Sequence, residues 1–121
     1  MKKILVVDDS DTVRQQVRQV LEPAGFEIVE AFDGADGLTK LRNIADLALV
    51  LCDVSMPVMS GLEMLERARA EGIFTPIVML TSAGQPSLVK RGREAGGQGW
   101  IVKPFKLDLL LAAVNKIAAA R

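Results

Sequence analysis

The sequence predicts an α/β fold, (βα)5, in which five strands and five helices alternate as an open doubly wound sandwich around a parallel sheet. Four short apolar runs, rich in branched residues, are typical of strands buried on both faces. They cover 4–7, 47–52, 77–80 and 100–102, and a less regular segment at 26–32 supplies the fifth strand. Glycines and a Thr-Pro pair fall where the predicted elements change, as turn residues do.

The intervals between the strands show the spacing of amphipathic helices. Ser10 or Asp11 is expected to cap the first helix. The third covers 60–71, and the fourth, at 86–96, has the weakest pattern because Gly92 interrupts it. The residues expected on the buried faces are Val13, Val17, Val20 and Leu21 in the first helix, Leu38, Leu41 and Ala45 in the second, and Leu107, Leu110, Leu111, Val114 and Ile117 in the fifth.

Length and composition bound the class of protein. A chain of 121 residues suits one domain, 1–121, and 15 Lys and Arg balance 15 Asp and Glu. This neutral balance argues against nucleic-acid or anionic-membrane partners. The lack of histidine excludes Ser-His-Asp chemistry and His-ligated metals, and one cysteine excludes an internal disulfide. No apolar run suits a signal peptide or a bilayer span, so we expect a soluble, cytoplasmic protein.

Polar side chains follow four of the predicted strands where each strand ends. Asp8 and Asp9 follow the first, Asp53 the third, Thr81 the fourth and Lys103 the fifth. Ligands of open α/β sheets bind outside these carboxyl ends. Three crowded carboxylates repel one another, so at least one pKa should rise unless a cation neutralises them. Oxygen ligands without His or Cys suit Mg²⁺, with Mn²⁺ as the alternative.

A carboxylate beside a divalent ion, a hydroxyl and a lysine can accept a phosphoryl group, because the carboxylate attacks while the other groups neutralise the phosphoryl oxygens. Each residue alone is more often a turn residue, a helix cap or a solvated charge, so the interpretation depends on their joint occurrence. Cys52 is interpreted as a buried core thiol, and the methionines as packing.

These residues lie in motifs that resemble the receiver domain of two-component response regulators, most closely its single-domain members in chemotaxis. The resemblance covers the whole chain and implies the strand order 2-1-3-4-5, in which strands 1 and 3 are neighbours. The matching segments are Val7-Asp8-Asp9, residues 53–61 (DVSMPVMSG), Leu80-Thr81-Ser82 and Lys103-Pro104-Phe105.

The resemblance assigns roles to the acidic residues. Asp53 is the implied phosphoacceptor. Asp9 and Asp53 would bind Mg²⁺ directly, together with the backbone carbonyl of Ser55, and Asp8 would act through water. The domain would then catalyse only its own phosphorylation and dephosphorylation, and would not be an enzyme acting on other substrates.

The resemblance also implies how the phosphoryl group is held and lost. Thr81 and Lys103 would contact its oxygens, and a cis peptide before Pro104 would direct the lysine inward. The residues beside the path of the attacking water are Ser55 and Ala83, both too small to position a water molecule.

Two departures from the family pattern concern the switching step. Trp100 stands where the family has Tyr or Phe, and residues 95–99 are unusually rich in glycine. We expect the indole to occupy two rotamers, biased inward when Thr81 moves toward the phosphoryl group. The expected output surface is helix 4, strand 5 and helix 5, made basic by Lys90, Arg91, Arg93 and Lys106 and mildly apolar by Leu109, Ala112 and Ala113.

The implied partners are a sensor histidine kinase and a downstream protein, for which a flagellar motor switch protein is one candidate, with a monomeric domain between them. The chain is then a stand-alone regulator, a piece of a longer one or a phosphate sink. A haloacid-dehalogenase-type Mg²⁺ phosphohydrolase is a distant alternative: residues 9–13 fit its first motif, but only Asp108 follows Lys103 where an acidic pair is needed. A flavodoxin-like FMN carrier is excluded, since the acidic first loop would repel phosphate.

Overall fold

A computed structural model describes residues 1–82 and 86–119 of the chain. Within those residues strands and helices alternate in the predicted order. Their bounds are β1 Lys3–Val7, α1 Asp11–Leu21, β2 Glu27–Ala31, α2 Gly34–Asn43, β3 Leu47–Asp53, α3 Gly61–Ala70, β4 Ile77–Ser82, α4 Pro86–Glu94, β5 Gly99–Lys103 and α5 Leu107–Ala118.

The five strands form one parallel sheet of order β2-β1-β3-β4-β5, which confirms the order implied by the resemblance. β2 and β5 are therefore its edges. The prediction that residues 100–102 are buried on both faces is wrong, because an edge strand is only partly covered: the strand is half-buried and Val102 is 51% exposed. The three central strands are buried almost throughout.

Helices cover both faces of the sheet and create two apolar layers. One layer lies under α2, α3 and α4 and contains Leu38, Met64 and Leu65. The other lies under α1 and α5 and contains Leu21 and Leu110. In the part of the chain that the structure describes, no helix has the length and apolarity needed to cross a bilayer.

The predicted cap of α1 is present, whereas two residues that were predicted to lie on buried helix faces are exposed. Ser10 caps α1, where its hydroxyl accepts a hydrogen bond from the N–H of Val13. α2 ends at Asn43, so the prediction for Ala45 is wrong: Ile44 adopts an extended conformation and packs on the core, while Ala45 is exposed beyond it. Leu107, expected in the core, is 46% exposed at the start of α5.

Arg69 at the end of α3 holds together two loops at the amino-terminal edge of the sheet. Its guanidinium donates to the carbonyls of Ile73 (2.8 Å) and Thr75 (3.0 Å), which precede β4. It also donates to the carbonyl of Gly96 (3.2 Å), which lies between α4 and β5. The carboxyl-terminal end of α4 is thereby attached to the loop after α3.

Candidate metal site

Three carboxylates meet at the carboxyl edge of the sheet because β1 and β3 are neighbours in register. Val7 pairs with Cys52, so the next residues along the two strands, Asp8 and Asp53, emerge side by side. One oxygen from each of Asp8, Asp9 and Asp53 lies within 4.8 Å of the others. This spacing is close to the distance of about 4.2 Å between oxygens on opposite sides of a Mg²⁺ ion. The predicted acidic cluster is therefore present and can hold a metal.

Lys103 crosses from the edge strand to this cluster. Its Nζ lies 2.9 Å from Oδ2 of Asp8 and 3.4 Å from Oδ2 of Asp53. Asp8 is fully buried, Asp53 is half-buried and Asp9 is exposed. Sequence reasoning placed Lys103 near Asp53 but missed its ion pair with Asp8, since the direction of the lysine depends on packing that no motif encodes.

The electrostatics of the cluster follow from burial and crowding. Burial, and then the charge of Asp8, raise the pKa of Asp53, and Lys103 offsets only part of the effect. The predicted direction of a carboxyl pKa is confirmed for Asp53, but burial contributes more to the rise than the repulsion on which the prediction was based. Burial alone would lower the pKa of Lys103, but its hydrogen bond to Asp8 and the two carboxylate charges raise it, so the lysine stays a cation. Burial raises the pKa of the Cys52 thiol and keeps it protonated, which confirms it as a core residue.

Thr81 and Gly61 lie beside Asp53 at the carboxyl edge of the sheet. Thr81 is 2% exposed at the end of β4, and its hydroxyl donates to the carbonyl of Ser82 (3.1 Å). A Cβ on Gly61 would lie 1.8 Å from the carbonyl oxygen of Asp53, so only glycine allows α3 to begin this close to the site. The motif contained this glycine, but its steric reason is visible only in the structure.

The other predicted site features are placed as follows. Ser55 is exposed, and its N–H donates to Oδ1 of Asp53 at 3.4 Å. The peptide between Lys103 and Pro104 is cis, as predicted. Ala83 lies outside the described residues, so its expected place beside the water path stays a prediction.

Trp100 packs against α4 in a recess left by glycines. A Cβ on Gly92 would lie 3.1 Å from Cζ2 of the indole, and one on Gly97 would lie 3.3 Å from its Cη2. The guanidinium of Arg93 covers the ring, 5.3 Å from its centroid, as in a cation–π contact. The ring is half-buried in this position, and its two rotamers stay a prediction.

The predicted output surface is largely placed as expected. Lys90, Lys106 and Leu109 are exposed on it, Leu109 at 60%. Arg91 is an exception: its guanidinium donates to both carboxylate oxygens of Glu66 on α3, at 2.9 and 2.6 Å. Arg91 therefore forms an exposed ion pair between α3 and α4, in which Glu66 offsets its charge.

Comparisons with known proteins agree with this fold. A family model described as the response regulator receiver domain matches residues 4–115. The chain belongs to the response regulator receiver family. It is therefore a receiver domain of the two-component response-regulator type.

Similar proteins differ in how much of their own length the chain covers. The chain is 36% identical to the chemotaxis protein CheY of Bacillus subtilis, over 94% of this chain and 95% of that protein. It is 38% identical to the transcriptional regulatory protein DltR of Streptococcus agalactiae over 93% of this chain, but it spans only 50% of DltR. The structure of chemotaxis protein CheY4 of Vibrio cholerae superposes with a TM-score of 0.89 at 39% identity, covering 97% of this chain and 98% of that one.

Proposed function

We propose that this receiver accepts a phosphoryl group on Asp53 in a Mg²⁺-dependent reaction, and that the donor is the phospho-histidine of a sensor kinase. A carboxylate oxygen of Asp53 forms the new bond to phosphorus, and the electron pair of the P–N bond leaves with the donor imidazole. The chain has no histidine, so that group belongs to the kinase. The receiver is not an enzyme acting on other substrates, since its catalysis is limited to its own phosphorylation and dephosphorylation.

The observation that supports the proposal best is the position of Lys103 between the carboxylates of Asp8 and Asp53. Its ammonium is within reach of a phosphoryl oxygen on Asp53. Asp9 and Asp53, with the backbone carbonyl of Ser55, are the proposed direct ligands of the ion, which would neutralise a further oxygen. Asp8 is fully buried and already paired to the lysine, which favours its acting through water.

The test is phosphorylation by acetyl phosphate without any kinase, because this chain supplies the cation, hydroxyl and lysine. We expect a mass increase of one phosphoryl group on Asp53 that requires MgCl2 and is absent in Asp53→Asn. Asp108→Asn, an exposed carboxylate on α5, is the matched control and should retain full labelling. Asp9→Ala should weaken Mg²⁺ binding more than Asp8→Ala. A label on another residue, or labelling unaffected by EDTA, would refute the assignment.

The finer proposal is a stand-alone chemotaxis regulator that changes the surface of α4, β5 and α5 when phosphorylated. It is supported by the similarity to CheY over nearly the full length of both chains. A flagellar motor switch protein is the proposed target, and the domain is proposed to be a cytoplasmic monomer without nucleic-acid or membrane partners. The similarity to DltR supports the alternative, a receiver within a longer regulator.

A further inference from the structure

Arg14 on α1 reaches the peptide that joins two of the clustered carboxylates. Its guanidinium donates a hydrogen bond to the backbone carbonyl of Asp8, and its side chain is only 13% exposed. That carbonyl belongs to the same planar unit as the N–H of Asp9. The hydrogen bond from Arg14 therefore orients the peptide from which Asp9, a proposed direct metal ligand, extends.

The guanidinium is itself held on two further sides. Its Nε donates to Oε1 of Glu30 on β2 at 2.9 Å, and another of its nitrogens donates to the carboxylate of Asp11. Arg18 donates to the second oxygen of Glu30 at 2.7 Å. These hydrogen bonds lower the pKa of Glu30, which stays ionised at neutral pH. A planar fork held in this way keeps one position, whereas a lysine in its place would have a single flexible ammonium.

The other polar groups of Asp8 are fixed by separate partners. Its N–H donates to the carbonyl of Ala31 on β2 at 3.1 Å. Its carboxylate accepts from the N–H of Ser10 and from Nζ of Lys103, both at 2.9 Å. Both peptides that flank Asp8 are thus hydrogen-bonded, the second of them through Arg14. Asp9 is exposed, so its position depends on the peptide before it.

The rigidity of this peptide bears on which divalent ion the cluster prefers. Mg²⁺ requires near-octahedral oxygens at about 2.0–2.1 Å, whereas Ca²⁺ accepts six to eight oxygens at about 2.3–2.6 Å in a flexible arrangement. A fixed ligand position favours the smaller ion, and a loosened one penalises it most. The charge of Arg14 acts differently, because it repels both divalent cations alike.

We propose that Arg14, held by Glu30, is a positioning residue that fixes the peptide between Asp8 and Asp9 and thereby makes the acidic cluster select Mg²⁺ over Ca²⁺. The inference rests on the proposed function, since it takes Asp9 and Asp53 as the metal ligands. It adds a source of ion selectivity that lies outside the carboxylates themselves.

The test is isothermal titration calorimetry of the whole, unphosphorylated chain with MgCl2 and CaCl2 in separate experiments, and the measured quantity is the ratio of the two dissociation constants. Arg14→Lys keeps the charge but loses the planar fork, so we expect Mg²⁺ binding to weaken about tenfold and Ca²⁺ binding to change by less than about twofold. Arg14→Met also removes the charge, so both ions should bind more tightly than in Arg14→Lys while the ratio stays equally reduced.

Arg18→Lys is the matched control. Arg18 lies one turn further along the same helix and donates to the same Glu30, but its other partners are Glu22 and the carbonyl of Ile28. The ratio should therefore match the wild type. Circular dichroism confirms that each titrated variant is folded, and Arg14→Lys provides the test if Arg14→Met does not fold.

The inference is overturned if the ratio is unchanged in the Arg14 variants, if both ions weaken together, or if Arg18→Lys lowers the ratio equally. Asp9→Ala separates this result from the proposed function. A wild type that binds Mg²⁺ through Asp9 while the Arg14 variants keep its selectivity refutes only the role of Arg14. A wild type that binds no Mg²⁺ refutes both proposals.

Discussion

Replacing Gly92 by alanine tests whether the recess under Trp100 is required by the size of the indole. In an ordinary helix interior the substitution stabilises by about 1 kcal/mol, since glycine is the poorer helix former. Here the new methyl group would lie 3.1 Å from Cζ2 of Trp100 and 3.4 Å from Cδ1 of Leu62. Crowding of a packed interior costs about 1–3 kcal/mol. The net expectation is a loss of roughly 0–2 kcal/mol in the free energy of unfolding.

The sign should reverse when the ring is smaller. In a Trp100→Phe background the phenyl ring lacks the indole atoms nearest to Gly92, so Gly92→Ala should stabilise by about 1 kcal/mol. Urea unfolding followed by far-ultraviolet circular dichroism measures all four corners of the cycle, because the variant lacks the only tryptophan. Equal effects of Gly92→Ala in both backgrounds would mean that the glycine and the indole are independent, and would refute the reasoning.

Three other predictions concern stability. MgCl2 at ten times its Kd should stabilise the wild type by about 1.4 kcal/mol in thermal unfolding but have little effect on Asp53→Asn; equal shifts would exclude Asp53 as a ligand. Val58 has φ of 70°, which a β-branched residue rarely adopts, so Val58→Asn should stabilise by about 1 kcal/mol in urea while Val58→Thr should not. Hydrogen bonds from Arg18 and Arg14 lower the pKa of Glu30, so Glu30→Gln should reduce the free energy of unfolding by about 0.5–1 kcal/mol at pH 7. The difference from the wild type should vanish as the pH falls below 4.5 through the folded pKa of Glu30. A reduction that persists in acid would indicate a packing role for Glu30 instead.

The sequence predicted the acidic site well because its geometry depends on topology. Asp9 and Asp53 follow strands whose neighbours are set by the sheet order, so their proximity requires no knowledge of side-chain rotamers. The pairing of Lys103 with Asp8 could not be predicted in this way. A lysine has four rotatable bonds, and its direction depends on the packing of the edge strand and on which carboxylate is buried.

The weaker predictions failed where a local pattern had two meanings. The prediction at Gly92 did not fail, since α4 is present around it, but the contact between Gly92 and Trp100 is visible only in the structure. Ala45 continued a helical periodicity, but Ile44 ends the helix by adopting an extended backbone and burying its own side chain. Arg91 looked like part of a basic surface until its carboxylate partner on another helix was known. The error at Arg91 concerns a partner distant in sequence, whereas the error at Ala45 follows from the extended backbone of the residue before it.

The attachment of α4 by Arg69 limits how this helix can respond to events at the metal site. Its carboxyl-terminal end is joined through Gly96 to the loop after α3, at the sheet edge opposite the carboxylates. Because this end is anchored by Arg69, we expect any displacement of α4 to grow with distance from Gly96. A switching signal carried by α4 would then be a rotation of the helix. The displacement that a bound target senses would depend on how far its contacts lie from Gly96.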